Sequence, residues 1–161
     1  MKTLKLTAKD FKKSDSYWKD YIGAESVADY DGHIEIEANL GWVRFDSIAA
    51  KGHVFAEAGT GIKAGWGIKA GEGIKAGWGI EAGLTITCKL TLKFAYKIFA
   101  GICYWRKDLT DDDKMITCGK LEGGEVAYGI VKEIGLPDEK PVAKDRQIEI
   151  DGKKYKLVEV E

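Results

Sequence analysis

Two histidines, His33 and His53, are the only side chains whose ordinary chemistry suits a general base near neutral pH. Nucleophilic catalysis needs such a base beside a nucleophile. Each histidine adjoins a glycine at a strand edge or corner, the setting of a turn residue. The run Asp29-Tyr30-Asp31-Gly32-His33 offers metal donors, yet Asp31-Gly32 is first of all a turn signal. Asp111, Asp112 and Asp113 lack the alternating spacing and closing glutamate of a calcium loop. Cys88, Cys103 and Cys118 are odd in number, widely spaced and without a CxxC pair, so neither a disulfide framework nor a zinc site is expected. Glycine is abundant at 20 residues, but the phosphate-loop pattern is absent. The expectation is a protein that is not an enzyme and that carries no cofactor and no metal.

Tryptophan is the more informative residue. Trp66, Glu72 and Trp78 occupy one repeat position, six residues apart. A position that accepts glutamate is solvent-facing, so the two tryptophans are expected to protrude. Exposed tryptophan near a basic rim is typical of a protein-binding hot spot. Lys63, Lys69 and Lys75 form that rim. On a three-sided coil these lysines fall on three different faces; on a flat sheet they would line up for nucleic acid. The net charge of −1 makes direct nucleic-acid binding unattractive.

The elements that must carry these residues follow from the repeat. From Gly61 the chain reads GIKAGW, GIKAGE, GIKAGW, GIEAGL. Ile62, Ile68, Ile74, Ile80 and Ile86 recur every six residues, as do Ala64, Ala70, Ala76 and Ala82, with Cys88 next. Two glycines per hexad exclude a helix, at about 1 kcal/mol each. Period two inside each hexad points isoleucine and alanine inward and lysine or glutamate outward from a three-residue strand. Glycine turns the corners, and stacked coils supply the backbone partners. Degraded copies, Ile48-Ala49-Ala50 and Val54-Phe55-Ala56, precede the regular run, with two extra residues near Glu57-Ala58. Val43-Arg44-Phe45 and Ile36-Glu37-Ala38 are candidate earlier sides. Three hexads per coil give about three coils and set Lys63 beneath Glu81, 18 residues on, as an outward ion pair.

The flanks read as caps. Leu84 to Ile98 alternates apolar and polar, predicting a long half-buried strand or two joined by a bend. A short helix is expected around Ser14 to Ile22 and another over Glu125 to Ile134, stopped at Gly135. Thr110 to Asp113 suits a turn or helix start. Gln147–Ile150 and Tyr155–Val160, around Asp151-Gly152, predict a hairpin. The chain is therefore mainly β: a short hexad-repeat β-solenoid (β-helix) over 34–105, an N-terminal capping segment over 1–33, and a small α+β C-terminal cap over 106–161. Apolar residues at 45% and charged residues at 32% suit a globular domain. No window is long and apolar enough for a membrane span, and the N-terminus lacks the apolar region of a secretory signal.

The run GWVRFDSIAAKGHVFAEAGTGIKAGWGIKAGEGIKAGWGIEAG, Gly41 to Gly83, resembles the Gly-Ile-x-Ala-Gly repeat proteins of phages and other mobile elements. That resemblance implies a small accessory protein of the bacterial cytoplasm that docks on a host protein or ribonucleoprotein complex, as inhibitors of CRISPR defence do. The period is also similar to hexapeptide acyltransferases, which would make His53 the base. The hexads are few, however, and tryptophan or glutamate stands where those enzymes carry a small residue. A weaker similarity to bactofilins implies self-association into homo-oligomers through coil edges.

Overall fold

All five isoleucines of the regular run are buried in the computed structural model, which describes residues 1–137, 147–150 and 152–156. The alanines two positions on are buried with them. Each hexad is a three-residue strand followed by a glycine-flanked corner. Such a strand is stable only because its backbone pairs with strands of neighbouring coils.

The strands fall on three flanks. The first carries β1 (Thr3–Leu6), β4 (His33–Ile36), β7 (Val54–Ala56), β10 (Ile74–Ala76) and the first half of β13 (Thr91–Ala100), paired in that order and all parallel. The second carries β3 (Trp18–Tyr21), β5 (Gly41–Phe45), β8 (Thr60–Ala64), β11 (Ile80–Ala82) and the second half of β13. The third carries β6 (Ile48–Ala50), β9 (Ile68–Ala70), β12 (Ile86–Cys88), β14 (Met115–Cys118) and β16 (Ile130–Glu133). Strand β15 (Lys120–Tyr128) follows both halves of β13. The result is a curled, parallel-rich sheet, compatible with the coiled repeat expected of the sequence.

Register fixes the coil length. Ile62 pairs with Ile80, Ile68 with Ile86 and Ile74 with Leu92, each 18 residues apart. Ile34 with Val54, Ile48 with Ile68 and Val54 with Ile74 are 20 apart. Ile34 to Val54 ends before Glu57 and holds two extra residues of its own, whereas the other two spans contain the extra residues near Glu57-Ala58. The latter are absorbed in a turn at Gly59, whose φ of 77° is a glycine conformation. The buried Thr60 hydroxyl secures it, donating to the Glu37 carbonyl at 2.7 Å and accepting the Leu40 N–H at 3.1 Å.

Several expected elements take another form. The helix expected over Ser14 to Ile22 is β3, which pairs antiparallel with β2 (Phe11–Lys13) and parallel with β5. The helix expected over Glu125 to Ile134 is the end of β15 and β16, with Gly129 at φ 122° turning the corner between them. In both places a waiting sheet edge outweighs weak helical periodicity, and Val126, Ile130 and Val131 are good strand residues. The alternating run from Leu84 is not one face either. Ile86 and Cys88 belong to the third flank, Leu92, Phe94 and Ile98 to β13, while Leu90 and Tyr96 are exposed. Strand pairing continues beyond both ends of the segment 34–105.

Asp111–Lys114 is a short 3-10 turn, its start held by the Thr110 N–H on the Asp113 carboxylate at 3.0 Å. Strands β17 (Gln147–Ile150) and β18 (Lys153–Lys156) form the expected antiparallel hairpin. Residues 138–146, 151 and 157–161 lie outside the described residues, and with them most of the expected loop before the hairpin and of the expected second hairpin strand Tyr155–Val160. Among the described residues, no helix is long and apolar enough to cross a membrane.

Candidate functional site

Winding separates the three residues that share the repeat position. Trp66 sits at the corner between β8 and β9, Glu72 between β9 and β10, and Trp78 between β10 and β11. Each therefore heads its own column. Backbone bonds set Trp66 between Asp46 and Leu84, Glu72 between Gly52 and Leu90, and Trp78 between Thr60 and Tyr96. Lys63, Lys69 and Lys75 likewise divide among the second, third and first flanks.

Lys63 is not the solvated residue expected. It is 6% exposed, and its ammonium meets Glu81 at 2.6 Å. The N-terminal segment covers the pair: the ammonium lies 5.1 Å from the Trp18 ring centre and 5.9 Å from that of Tyr17. Burial pushes the Lys63 pKa down, but the hydrogen bond and charge of Glu81 outweigh it, and the net shift is upward. Tyr17 is itself raised, by burial first and by Glu81 second. Lys69 remains exposed and Lys75 is half-buried.

The Trp66 corner gathers aromatic side chains from three separate segments. Trp66 packs on Trp105 with ring centres 4.2 Å apart, yet the two are 49% and 50% exposed. Exposed Tyr104 and Tyr17 extend the patch. A depression of about 260 Å³ opens between Trp18, Arg44, Gly65, Gly83, Tyr104 and Trp105. A second, of about 550 Å³, lies between Tyr21, Glu25, Arg44, Asp46 and Trp66. Arg44 borders both and is held by Asp20 at 3.7 Å and Asp46 at 3.3 Å. The patch thus offers large apolar rings around a fixed guanidinium, the composition of interface anchors. Trp78, by contrast, is half-buried, its ring 3.8 Å from where a side chain on Gly41 would begin.

The Glu72 corner is polar. His33 and His53 stack with ring centres 4.1 Å apart, and His53 stacks on Phe55 at 3.9 Å. His53 Nε2 lies 3.0 Å from Glu35, and the His53 backbone N–H donates to His33 Nδ1 at 3.0 Å. The His33 ring covers Gly52 so closely that any side chain there would run into it.

Sequence reasoning found Trp66 and Glu72 but not their companions. Tyr17 and Trp18 come from the segment read as the N-terminal cap, and Tyr104 and Trp105 from the last residues of the segment read as solenoid. The histidine pair did carry a signal: a spacing of 20 residues, the length of the longer coils, which stacks them. Burial disfavours the thiolate at two of the three cysteines. Burial, with Cys118 as neighbour, pushes the Cys88 thiol up to about 12, and burial pushes Cys118 up to about 11. Comparison of the chain with protein-family models, with curated proteins and with solved structures gives no match.

Proposed function

We propose that the chain is a short three-sided β-solenoid that binds a protein partner, without catalysis, through the aromatic corner at Trp66. The carrying observation is the Trp66–Trp105 pair, packed ring on ring while half of each surface stays in water. Two tryptophans held in place lose little entropy on binding, which is what a hot spot requires. Glu72, Trp78, Lys69 and Lys75 lie on other corners and flanks, so the working contact set is Trp66, Trp105, Tyr104, Tyr17 and Arg44. Against catalysis, His53 has Glu35 at one nitrogen and Glu72 facing the other. The narrower version, inhibition of a host defence complex by a phage or mobile-element protein, rests on the resemblance of Gly41 to Gly83 alone.

The test is affinity capture from bacterial lysate with wild type, Trp66→Ala/Trp105→Ala and Trp78→Ala. The reading expects a partner retained by wild type and Trp78→Ala and lost by the double variant. Equal retention by all three proteins removes the aromatic corner from the account. A second reading, self-association, is supported by exposed Ile130 and Val131 on β16, the last described strand of the third flank. Light scattering over a concentration series separates the two: a fixed mass favours the binding module, and growth favours assembly.

A further inference from the structure

Both histidines of the chain stand at one corner, ring over ring, on successive coils. Their Nδ1 atoms lie 3.8 Å (His33) and 3.9 Å (His53) from one carboxylate oxygen of Glu72. The hydrogen bonds determine what those nitrogens carry. Glu35 can only accept, so in the neutral imidazole its 3.0 Å contact places the His53 ring proton on Nε2 and leaves the Nδ1 lone pair bare. His33 Nδ1 accepts the His53 backbone N–H, so it is unprotonated, its lone pair engaged by that amide. Two unprotonated imidazole nitrogens and a carboxylate oxygen therefore converge, all within 4.8 Å of one another. We propose that His33, His53 and Glu72 bind a divalent transition-metal ion, with zinc(II) as the reference ion and Glu35 as the outer carboxylate that orients His53.

The chemistry of the donors selects the ion. Two imidazoles and one carboxylate suit zinc, nickel or copper, whereas calcium and magnesium want an all-oxygen shell. A carboxylate on the far nitrogen of a ligating histidine is the usual outer support of such ions. Among the described residues, Glu35 and Glu72 form ion pairs only with these histidines, while Lys75 and Lys93 line the same depression as Glu72 and His53 without pairing with either carboxylate. Three protein ligands leave a fourth position open to solvent.

The present positions are close to a site without being one. Ligands about 2.0–2.1 Å from a tetrahedral ion sit roughly 3.4 Å apart, about half an ångström nearer than the two histidine–Glu72 distances here. Glu72 sits at a corner with its side chain 40% exposed and can move by that much. The rings are only 24° from parallel, so an ion in the plane of one cannot lie in the plane of the other. One imidazole must turn out of the stack. His33 does so by releasing the His53 N–H, which makes that amide a reporter of binding.

The experiment titrates tag-free protein with zinc chloride against a chromophoric chelator, with nitrogen NMR of the His53 amide and both imidazoles. The expected result is one zinc per chain, unmoved by millimolar calcium or magnesium, with a shift of the His53 amide. Glu72→Gln and His53→Ala each weaken binding at least tenfold, and Glu35→Gln weakens it about 10–100-fold as an outer partner does. Glu72→Gln is nearly isosteric at a partly exposed corner, so circular dichroism should show its fold intact. Absence of saturable zinc binding by wild type, or equal binding by wild type, Glu72→Gln and His53→Ala, overturns the proposal.

Discussion

Trp66 and Glu72 occupy the same place in the repeat, six residues apart, and their surroundings share almost nothing. At Trp66 the neighbours along the column are Asp46 and Leu84, and Trp105 arrives from another segment to pack on the ring. At Glu72 the column passes through Gly52, and two histidines from the longer coils stand beside the carboxylate. The repeat supplies the same backbone in both places. What differs is which coil lies above and what the flanking segments bring. In a coiled repeat the regular residues hold position, and departures from regularity create surfaces with chemistry.

The largest effects should strike both corners alike, because they test the shared backbone. A side chain on Gly83 would run into the Gly65 carbonyl, and one on Gly71 into that of Lys51. Gly83→Val and Gly71→Val should each destabilise by about 3 kcal/mol or fail to fold, since overpacking against backbone cannot be relieved by a rotamer change. Chemical denaturation gives the number; a loss at one corner only would show that the corners are not equivalent. Core truncation gives a similar scale: Ile68→Ala should cost about 2–5 kcal/mol.

Next in size is the covered ion pair. Glu81→Gln leaves the Lys63 ammonium buried with a poor partner and should cost about 3 kcal/mol. Lys63→Met with Glu81→Leu should recover much of that, because the desolvation disappears with the charges. The pH dependence has a definite sign. Burial lowers the Lys63 pKa, the Glu81 bond and charge raise it further, and the net folded value lies above the ordinary 10.5. Stability from the pair is therefore complete below about 10.5 and is lost as pH rises through the folded value. Tyr17, also raised, adds to the loss in the same direction above its ordinary 10.0. Urea midpoints between pH 8 and 11 should fall in wild type, and less in the double apolar variant.

That pair also marks how far the sequence could be read. Hexad spacing and the period of 18 were enough to place Lys63 against Glu81 and to divide the three lysines among three flanks. They could not show the pair to be buried, because its cover, Tyr17 and Trp18, lies some 45 residues upstream in a segment with no repeat. The same limit explains the two helices that became strands. A strand at a sheet edge takes its hydrogen bonds from a partner distant in sequence, so its own periodicity is a weak guide. His33 and His53 were legible only to a reader who gave the coil before Glu57-Ala58 two extra residues of its own. Gly52, beside His53, looked like turn chemistry; it is glycine because the His33 ring lies on it.

The smaller effects separate the corners. Trp66→Ala and Trp105→Ala should each cost about 1 kcal/mol, and a double-mutant cycle should return a coupling of roughly 0.5–1.5 kcal/mol for the ring pair. Glu72→Gln should do almost nothing to folding, within about 0.5 kcal/mol. Its contacts with His33 and His53, at 3.8 and 3.9 Å, are too long for hydrogen bonds, and a partly exposed ion pair of that kind contributes little. A stability loss above 1 kcal/mol in Glu72→Gln would make this carboxylate part of the scaffold, as the Trp66 ring pair partly is. A neutral result means that the His33–His53–Glu72 group can be altered without disturbing the coils, which is the condition for reading any change in zinc affinity as a change in ligands rather than in fold.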